Sequence, residues 1–483
     1  MAGKEEVAIL KAEIVSKTIV KQSSPTPSHL RHLKLSFIDQ LVPPSFCIPI
    51  LLFYSASESN LHDFNFTQIS ENLKSSLSQI LTLYYPFCGT IIVNDINHIS
   101  YVDCNDNGVV YQEARISSTL SDLLATRNLP QFRDQIMQFL PFDPYTREYD
   151  DVVSECDRGV VMMGVQVSEF ACGSVAVGAC ISHVVCDGAT MVSFLGAWSE
   201  KARATMMAGG ECGGGGGGAP MKMEGPEKFP ARSELELSGI IGGQIGERNI
   251  VTRRMVLSER SVSELREGVC GGDENKYTRV EVVTALIWKT AMEAKATVEG
   301  AGGAPPAAPG DYASIMLHAV NIRRRMVPPL SENAIGNLWQ PAVSPLVEIE
   351  RSKAIEVKDL AQVVRETIRK IDGDYLRKLE GEDSELGFYE MLKSFSEALF
   401  LVAEKGIPCY SFNSWLRFEF YEAQFGWGKP TWVCFLGVPT RNVIFLLPTK
   451  CGDGVEAWVT LNNLHMAQFE KNPYLLRFAS FDP

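Results

Sequence analysis

Apolar residues recur at a regular spacing early in the chain and stop at Pro86. The repeating positions are Ile69, Leu73, Leu77, Ile80 and Leu81. Residues three and four apart lie on the same face of an α-helix, and the polar residues between them lie on the other face. The pattern predicts an amphipathic helix whose apolar face is buried in a core.

Two valine-rich runs follow at residues 160–170 and 174–181. Cys172 and Gly173 lie between them, which is typical of a β-hairpin, so His183 is expected directly after the end of a strand. After Asp187 and Gly188, apolar residues again occupy one helical face, namely Met191, Phe194, Leu195 and Trp198. The predicted unit is a strand, a loop that carries His183, and a helix.

The second half of the chain mixes the same two patterns. Residues 278–290 have the spacing of a helix with one buried side. Three short apolar runs separated by turn residues predict strands at 431–436, 443–447 and 455–461. Strands and helices do not alternate regularly, which disfavours a doubly wound parallel sheet. We therefore expect an α/β protein made of mixed-sheet and helix layers.

Two stretches of small residues interrupt these patterns. Residues 206–220 include an unbroken glycine run at 213–218, which can neither pack a core nor hold a helix. Residues 300–310 are all glycine, alanine or proline. The first stretch predicts an exposed linker between two domains, and the second predicts a loop inside the second domain. A length of 483 residues is ample for two domains.

The charge balance limits the possible partners. The chain has 45 Lys and Arg against 58 Asp and Glu, a net charge of −13. No broad basic face is implied, so neither nucleic acid nor an anionic membrane is expected as a partner. An anionic small molecule such as coenzyme A can still bind, because a few local cations and helix N-termini suffice for a phosphate.

The chain also lacks recognisable targeting and metal-binding patterns. It shows no apolar core of a secretory signal, no run long enough to span a bilayer, and no peroxisomal or endoplasmic-reticulum address at its end. Its 12 cysteines have no Cys-x-x-Cys spacing, so we expect reduced thiols and no metal site. A cytoplasmic monomer is the expectation.

The candidate chemistry centres on His183, in the run His183-Val-Val-Cys-Asp187-Gly188. A loop at a strand end can direct an imidazole into a cleft, where a neutral histidine can accept a proton from an alcohol near pH 7. His-x-x-x-Asp also arises by chance, and Asp187 stands where it can cap the following helix without any catalytic role. Two other chemistries are disfavoured. A zinc site built on His183 and Asp187 lacks further ligands with suitable spacing. A nucleophilic Cys186 would need a base to hold its thiolate, and a sequence neighbour on an extended stretch usually points the other way.

Together with a later block, Tyr421-Glu-Ala-Gln424-Phe425-Gly426-Trp427-Gly428-Lys-Pro430, the His183 run resembles the motifs of the BAHD acyltransferases of plant specialised metabolism. The resemblance extends over nearly the whole chain except the two glycine-rich stretches. Within that family the chain resembles the alkaloid acetyltransferase group most. It carries Ala334-Ile-Gly-Asn-Leu338 where anthocyanin acyltransferases have Tyr-Phe-Gly-Asn-Cys. Further counterparts are Ser24–Pro27, Leu35–Gln40, Tyr85–Gly89, Val102–Asp106, Thr278–Glu281 and Val320–Arg325.

The resemblance implies a two-domain fold, like that of chloramphenicol acetyltransferase, with a solvent channel between the domains. The domains are expected at 1–205 and 236–483, joined by a glycine-rich crossover linker at 206–235. A segment near 424–446 can pack with the first domain. No cofactor is expected to be permanently bound. Acetyl-CoA is the implied co-substrate and a small-molecule alcohol is the implied acceptor.

The resemblance also assigns roles to residues. His183 is the general base in a ternary complex without an acyl-enzyme, and Asp187 supports its loop by pairing with Arg323 or Arg325. The indole N–H of Trp415 is a possible oxyanion donor, although a tryptophan packed in the core would look the same in sequence. Thr278 and Arg279 are candidates for the coenzyme A phosphates, although an ordinary helix cap with a solvated arginine fits as well.

Two positions depart from the family pattern. Gln424 replaces an aspartate that pairs with an arginine, so Arg323 or Arg325 is expected to be underpaired unless another acid, such as Glu419 or Glu422, takes the place of that aspartate. Thr90 replaces an arginine, and the sequence suggests no consequence.

Three alternatives to acetyl transfer remain: a catalytically silent relative that binds coenzyme A or a partner, transfer of a larger aliphatic or aromatic acyl group, and a hydrolase in which His183 activates water. The chain has no Gly-x-Ser-x-Gly elbow of the kind such hydrolases use.

Overall fold

The computed structural model describes residues 10–93, 99–127, 132–145, 160–207, 221–232, 247–273, 276–301, 313–331, 333–348, 355–381 and 384–481. In chain order the strands are β1 (Ala12–Val20), β2 (His32–Leu33), β3 (Cys47–Tyr54), β4 (Thr90–Val93), β5 (Ile99–Asp103), β6 (Val109–Ile116), β7 (Val160–Val161), β8 (Met163–Phe170), β9 (Val175–Ser182), β10 (Ile250–Leu257), β11 (Ala313–Asn321), β12 (Trp339–Val343), β13 (Val347–Glu348), β14 (Cys409–Ser414), β15 (Trp432–Cys434), β16 (Val443–Pro448) and β17 (Val455–Asn462). The α-helices are α1 (Phe37–Gln40), α2 (Phe66–Leu81), α3 (Leu120–Ala125), α4 (Phe132–Met137), α5 (Gly188–Met207), α6 (Gly225–Lys228), α7 (Glu259–Cys270), α8 (Arg279–Ala301), α9 (Val357–Arg369), α10 (Gly373–Arg377), α11 (Glu385–Ala403), α12 (Asn463–Phe469) and α13 (Pro473–Leu476).

The first large sheet has the strand order β1-β6-β8-β9-β3-β15. Strands β6 and β8 are parallel, and the other neighbouring strands are antiparallel. Five of the six strands come from the first 182 residues, but β15 comes from the far end of the chain and pairs with Leu51–Phe53 of β3. The predicted strand at 431–436 is therefore shorter than expected and completes a sheet of the first half of the chain.

The second large sheet has the order β10-β17-β16-β14-β11-β12, with β13 also paired to β11. Strands β11, β14 and β16 run parallel, and the remaining neighbours are antiparallel. A small four-stranded sheet, β2-β5-β4-β7, accompanies the first large sheet. Mixed sheets with helices confirm the predicted α/β fold class.

Helix α2 confirms the prediction for residues 69–81 and begins slightly earlier. Asn65 accepts a hydrogen bond from the backbone N–H of Gln68, whose side chain accepts one from the N–H of Asn65. This capping box starts the helix at Phe66 by satisfying free N–H groups of the first turn. The predicted apolar face is buried throughout.

The hairpin of β8 and β9 is also confirmed. Gly173 adopts a φ of +78° in the turn, a conformation that residues with a Cβ rarely adopt. Strand β9 is fully buried between β8 and β3 and ends at Ser182, directly before His183. Helix α5 then buries the four predicted apolar residues, Met191, Phe194, Leu195 and Trp198.

Helix α8 begins as predicted but continues to Ala301. The glycine-rich run at 213–218 and residues 302–310 lie outside the described residues. Within the predicted linker, residues 206 and 207 form the end of α5, and the described segment 221–232 packs on α1, where Phe37 N–H donates to the carbonyl of Phe229. No helix of the described residues is long and apolar enough to cross a membrane.

Candidate functional site

His183 is held where strand β9 passes into the loop before α5. Its backbone N–H donates to the carbonyl of Phe46 at 2.8 Å, directly before the start of β3. Two aromatic rings lie near the imidazole, with centroid distances of 5.8 Å to Phe46 and 6.4 Å to Trp339. The side chain is half-buried. The end of β9 and the residue before β3 therefore position the ring, and Trp339 of the second half of the chain lies near it.

The Nδ1 atom of His183 lies 2.9 Å from Oδ1 of Asn337. Burial lowers the pKa of His183 below its usual value, and this outweighs the opposing effects of its own backbone, Asp187 and the Asn337 hydrogen bond. The imidazole is therefore neutral at pH 7, the state in which histidine can accept a proton.

Asn337 is a site residue that the sequence reasoning missed. The sequence comparison used its run, Ala334–Leu338, only to distinguish subgroups of the family. The asparagine beside a glycine in that run was a usable signal for a polar side chain at a tight backbone contact. The side chain also receives a hydrogen bond from Nε1 of Trp339 at 3.2 Å and donates to Oδ1 of Asp39 at 3.0 Å. Every polar atom of the amide is thus engaged.

Asp187 makes a two-pronged ion pair with Arg323. Nη1 lies 2.7 Å from Oδ2 and Nη2 lies 3.0 Å from Oδ1, and both side chains are buried. Burial raises the pKa of the Asp187 carboxyl, but the Arg323 guanidinium and the hydrogen bonds outweigh it and hold that pKa below its usual value. Oδ1 also accepts from the backbone N–H of Thr190 at 2.8 Å, so Asp187 caps α5 as well.

The sequence left Arg323 and Arg325 open as partners, and the geometry selects Arg323. Arg325 instead donates to the carbonyls of Ile368 and Ile371 at the end of α9. Arg323 further donates to the carbonyls of Ala334 and Gly336, which ties the His183 loop to the segment that carries Asn337. Gly336 has a φ of +106°, which favours glycine at this contact.

Cys186 is fully buried in the same loop. Burial, reinforced by the nearby Asp187 carboxylate, raises the pKa of its thiol well above the usual value, so the sulfur is protonated and a poor nucleophile. Among the described residues, no group of three or more His, Cys, Asp and Glu side chains is arranged to hold a metal ion.

Trp415 follows β14 and lies against the start of α5. Its Nε1 atom is 2.8 Å from where a Cβ on Gly188 would lie, so the glycine of the His183 motif makes room for the indole. The ring packs among other aromatic residues, Phe418, Phe420, Phe435 and Phe445. Trp415 is therefore both a neighbour of the His183 loop and a packed core residue.

Thr278 and Arg279 lie elsewhere. Thr278 and Glu281 form reciprocal hydrogen bonds at the start of α8, with the N–H of Thr278 donating to Glu281 at 2.7 Å. Arg279 donates to the carbonyls of Gly452 and Asp453 in the turn before β17. In the described part of the chain, no hydrogen bond or ring contact joins either residue to His183, Asn337 or Trp415.

Residues 424–428 contribute to the hydrophobic core that also contains Trp415 and the buried face of α5. Phe425 and Trp427 are fully buried, and Gly426 has a φ of +119° where a Cβ would meet Sδ of Met206 at 2.6 Å. The expectation that Gln424 leaves an arginine underpaired is wrong for Arg323, which has a carboxylate partner in Asp187. Arg325 instead donates to two backbone carbonyls.

Thr90, the second departure, is buried at the start of β4. Its hydroxyl oxygen accepts hydrogen bonds from the side-chain amides of Asn105 and Asn107, each at 3.1 Å. The small residue thus anchors the loop between β5 and β6 by neutral hydrogen bonds.

Comparison with known proteins agrees with this geometry. A family model described as the Transferase family matches residues 10–476. Limonoid 7-O-acetyltransferase of Citrus sinensis is 31% identical over 495 residues, which cover 98% of this chain and 99% of that protein. The crystal structure of vinorine synthase, a protein of Rauvolfia serpentina, has a TM-score of 0.76 at 30% identity and covers 98% of this chain and 100% of its own.

A more distant structure shares the fold. The crystal structure of F. graminearum TRI101, in complex with coenzyme A and T-2 mycotoxin, superimposes with a TM-score of 0.65 at 15% identity, over 93% of this chain and 99% of its own. Similarity at that level of identity concerns the two-domain architecture alone.

Proposed function

The chain belongs to the Transferase family, the BAHD acyltransferases, and we propose that it transfers an acetyl group from acetyl-CoA to a hydroxyl of a plant specialised metabolite with His183 as the general base. The observation that carries the proposal is the half-buried imidazole of His183. His183 directly follows a buried strand, its imidazole is neutral at pH 7, and one of the ring nitrogens is already engaged by Asn337. The other nitrogen is the candidate base.

The reaction proceeds in a ternary complex. His183 takes the proton of the acceptor hydroxyl while the oxygen attacks the thioester carbonyl of acetyl-CoA. The tetrahedral intermediate collapses, the C–S bond breaks, and the proton passes from His183 to the leaving thiolate. Products are the acetyl ester and free coenzyme A. A direct transfer needs no acyl-enzyme, in keeping with the high pKa of the buried Cys186 thiol.

Supporting roles are proposed for three other groups. Asp187 holds the loop through Arg323 and the cap of α5 without touching the substrate. Trp415 is the candidate donor to the oxyanion, supported by the contact between its Nε1 and Gly188. Thr278 and Arg279 remain candidates for the coenzyme A phosphates through the exposed start of α8, although their hydrogen bonds also fit a helix cap and a turn anchor.

The proposed acceptor is an alkaloid or terpenoid alcohol. The similarity to limonoid 7-O-acetyltransferase and to stemmadenine O-acetyltransferase of Catharanthus roseus supports O-acetylation of a plant metabolite, and the rings of Phe46 and Trp339 beside His183 suit an apolar acceptor. We further propose that the protein works as a cytoplasmic monomer, and that its two domains divide at the predicted linker, residues 206–235.

The test is incubation with acetyl-CoA and panels of hydroxylated alkaloids and terpenoids, followed by mass spectrometry of the products and detection of free coenzyme A. Acetyl esters formed together with coenzyme A support the proposal. No coenzyme A release with any acceptor points to a silent relative, and release without an acceptor points to a hydrolase. Longer acyl-CoAs offered in parallel test the choice of donor.

His183→Ala tests the assigned base. We expect kcat to fall by about 10²- to 10⁴-fold, the usual contribution of a positioned general base, with little change in the Kd for acetyl-CoA. Cys186→Ala, in the same loop, is the matched control and should keep most of the activity. A His183→Ala variant within tenfold of the parent enzyme would show that another group acts as the base.

A further inference from the structure

We propose that Asn337 is the positioning residue of the base: its amide is held in one orientation from both ends, keeps the proton of His183 on Nδ1, and leaves Nε2 as the basic nitrogen. The inference rests on the proposed role of His183 as the base. It assigns a role to a residue 154 positions away from His183 in the chain.

The first end of the amide faces a group that can only donate. Nε1 of Trp339 lies 3.2 Å from Oδ1 of Asn337. An indole N–H has no lone pair to offer, so the amide atom opposite it must be the carbonyl oxygen. The Trp339 side chain thus identifies which end of the Asn337 amide is the acceptor.

The second end faces groups that can only accept in this arrangement. Nδ2 lies 3.0 Å from Oδ1 of Asp39, 2.6 Å from the carbonyl oxygen of His183 and 3.1 Å from that of Val184. A flipped amide would place its oxygen against these three oxygens and its NH₂ group against the Trp339 N–H. One orientation is therefore strongly favoured.

This orientation determines the tautomer of His183. Oδ1 of Asn337 has no hydrogen to give, so Nδ1 of His183, 2.9 Å away, must carry the proton. A neutral imidazole carries only one proton, which leaves the lone pair on Nε2. The base is thus prepared in the correct tautomer before the acceptor alcohol binds, as an orienting group does in other histidine-dependent enzymes.

The choice of an amide in place of a carboxylate also affects the strength of the base. Among the described residues, the charged and titratable groups nearest to the His183 loop and Asn337 are Asp187, Arg323, Asp39 and Cys186. Asp187 is paired with Arg323, and its effect of raising the His183 pKa is smaller than the opposing effect of burial. Asp39 reaches the ring only through the Asn337 amide, and burial keeps Cys186 protonated. A carboxylate on Nδ1 would raise the pKa of His183, whereas the neutral amide leaves the imidazole unprotonated near pH 7.

Asp39 anchors the arrangement to the start of the chain. Its Oδ2 accepts from the backbone N–H and the hydroxyl of Ser36, in the capping box of α1, and its Oδ1 accepts from the backbone and side-chain N–H groups of Asn337. Four donors on one buried carboxylate hold both oxygens in place. The orientation of the His183 ring therefore depends on three segments that are distant in sequence.

The kinetic test uses Asn337→Ala and Trp339→Phe, with Asn333→Ala as the matched control. Asn333 lies in the same segment, and its side-chain amide makes no hydrogen bond within the described residues. We expect Asn337→Ala to lower kcat by about 10- to 100-fold with little change in KM for acetyl-CoA, as loss of an orienting partner typically does. Asn333→Ala should match the parent enzyme.

The pH profiles of kcat/KM give a readout that general destabilisation cannot imitate. In Asn337→Ala the protonated imidazole loses its acceptor, so the acid limb should move to lower pH. Trp339→Phe keeps an aromatic ring beside His183 but removes the indole N–H, so Oδ1 of Asn337 accepts from His183 alone. That hydrogen bond then stabilises the protonated imidazole more strongly, and the acid limb should move to higher pH. Shifts in the same direction, or none, would overturn the proposal.

Nitrogen-15 NMR of labelled histidine reads the tautomer directly, with His183→Ala assigning the signals. We expect protonated Nδ1 in the parent enzyme and a mixture of tautomers in Asn337→Ala. Protonated Nε2 in the parent refutes the inference, even if Asn337→Ala fails to fold. An active His183→Ala would refute the proposed function itself, whereas an inactive His183→Ala beside an unimpaired Asn337→Ala would refute only this inference.

Discussion

Single residues of the His183 loop combine roles that the sequence presents as alternatives. Asp187 was open to two interpretations, a helix cap or a partner of an arginine, and one carboxylate performs both: Oδ1 caps α5, and both oxygens bind Arg323. Such a buried pair stabilises poorly compared with apolar residues, but it is costly to break because the remaining charge has no partner.

Asp187→Leu and Arg323→Met should each destabilise the protein, by about 3–5 kcal/mol, because each leaves one buried charge behind. The double variant should recover much of that loss, since neither charge remains. Urea unfolding followed by circular dichroism measures the difference. Glu422→Ala, which breaks the exposed pair with Lys429, is the control and should have a much smaller effect. A double variant no more stable than the single ones would contradict this interpretation.

His318 should make stability depend on pH. It is buried in β11, and burial lowers its pKa from 6.5 to about 4. The unfolded chain takes up this proton near pH 6.5, whereas the folded protein takes it up only near pH 4. Stability is therefore unaffected above pH 6.5 and falls as the pH drops through that window.

We expect His318→Phe, which keeps a ring stacked on Phe412, to reduce this dependence. The slope between pH 6.5 and 4 should fall by about 1.4 kcal/mol per pH unit, the value for one proton. Unfolding in urea at several pH values gives the slope. An unchanged slope would mean that His318 is not responsible for it.

At the scale of elements, helix α5 links the candidate base to the core. Its first residue, Gly188, meets Trp415 and Phe418, whereas Gly196 in its middle has open space where a Cβ would lie. The same substitution should therefore have opposite effects at two positions of one helix. The difference separates the packing of Trp415 from the helix propensity of glycine.

Gly188→Ala places a Cβ 2.7 Å from the ring of Phe418 and 2.8 Å from Nε1 of Trp415. We expect it to destabilise the protein by about 1–3 kcal/mol, the usual cost of overpacking, and to lower kcat because Trp415 must shift. Gly196→Ala should instead stabilise it by about 0.5–1 kcal/mol through helix propensity. Thermal unfolding and coenzyme A release measure both effects. Equal effects at the two positions would refute the close contact.

At the scale of the whole molecule, the two halves of the chain do not form independent sheets. Strand β15 extends the first sheet along β3, and its Trp432 stacks on Phe53 at a centroid distance of 5.5 Å. Phe425 meets Trp198 of α5 edge-on at 4.8 Å. The core of the first half is therefore completed by residues from the last 60 positions of the chain.

A fragment of residues 1–207 should accordingly not fold by itself, because the edge of β3 and the apolar side chains around it would face water. Co-expression with residues 221–483 should restore a folded complex and measurable coenzyme A release. Circular dichroism and activity assays test both statements. As the control, the chain is divided inside α2, after Leu77, and the two fragments are co-expressed. These fragments should not form an active complex, because the division interrupts a helix. Cooperative unfolding of the 1–207 fragment alone would contradict the expectation.

The sequence by itself determined the elements whose signals are local. Helix α2, the β8–β9 hairpin, helix α5 and the position of His183 at a strand end follow from periodicity and turn residues within short windows. Only the tertiary structure decided which distant groups meet. It selected Arg323 over Arg325, left Gln424 without the expected arginine, and brought Asn337 to Nδ1 of His183. The reason is physical: periodicity reports which face of an element is apolar, whereas a hydrogen bond between residues more than 100 positions apart depends on strand order, register and packing across two sheets.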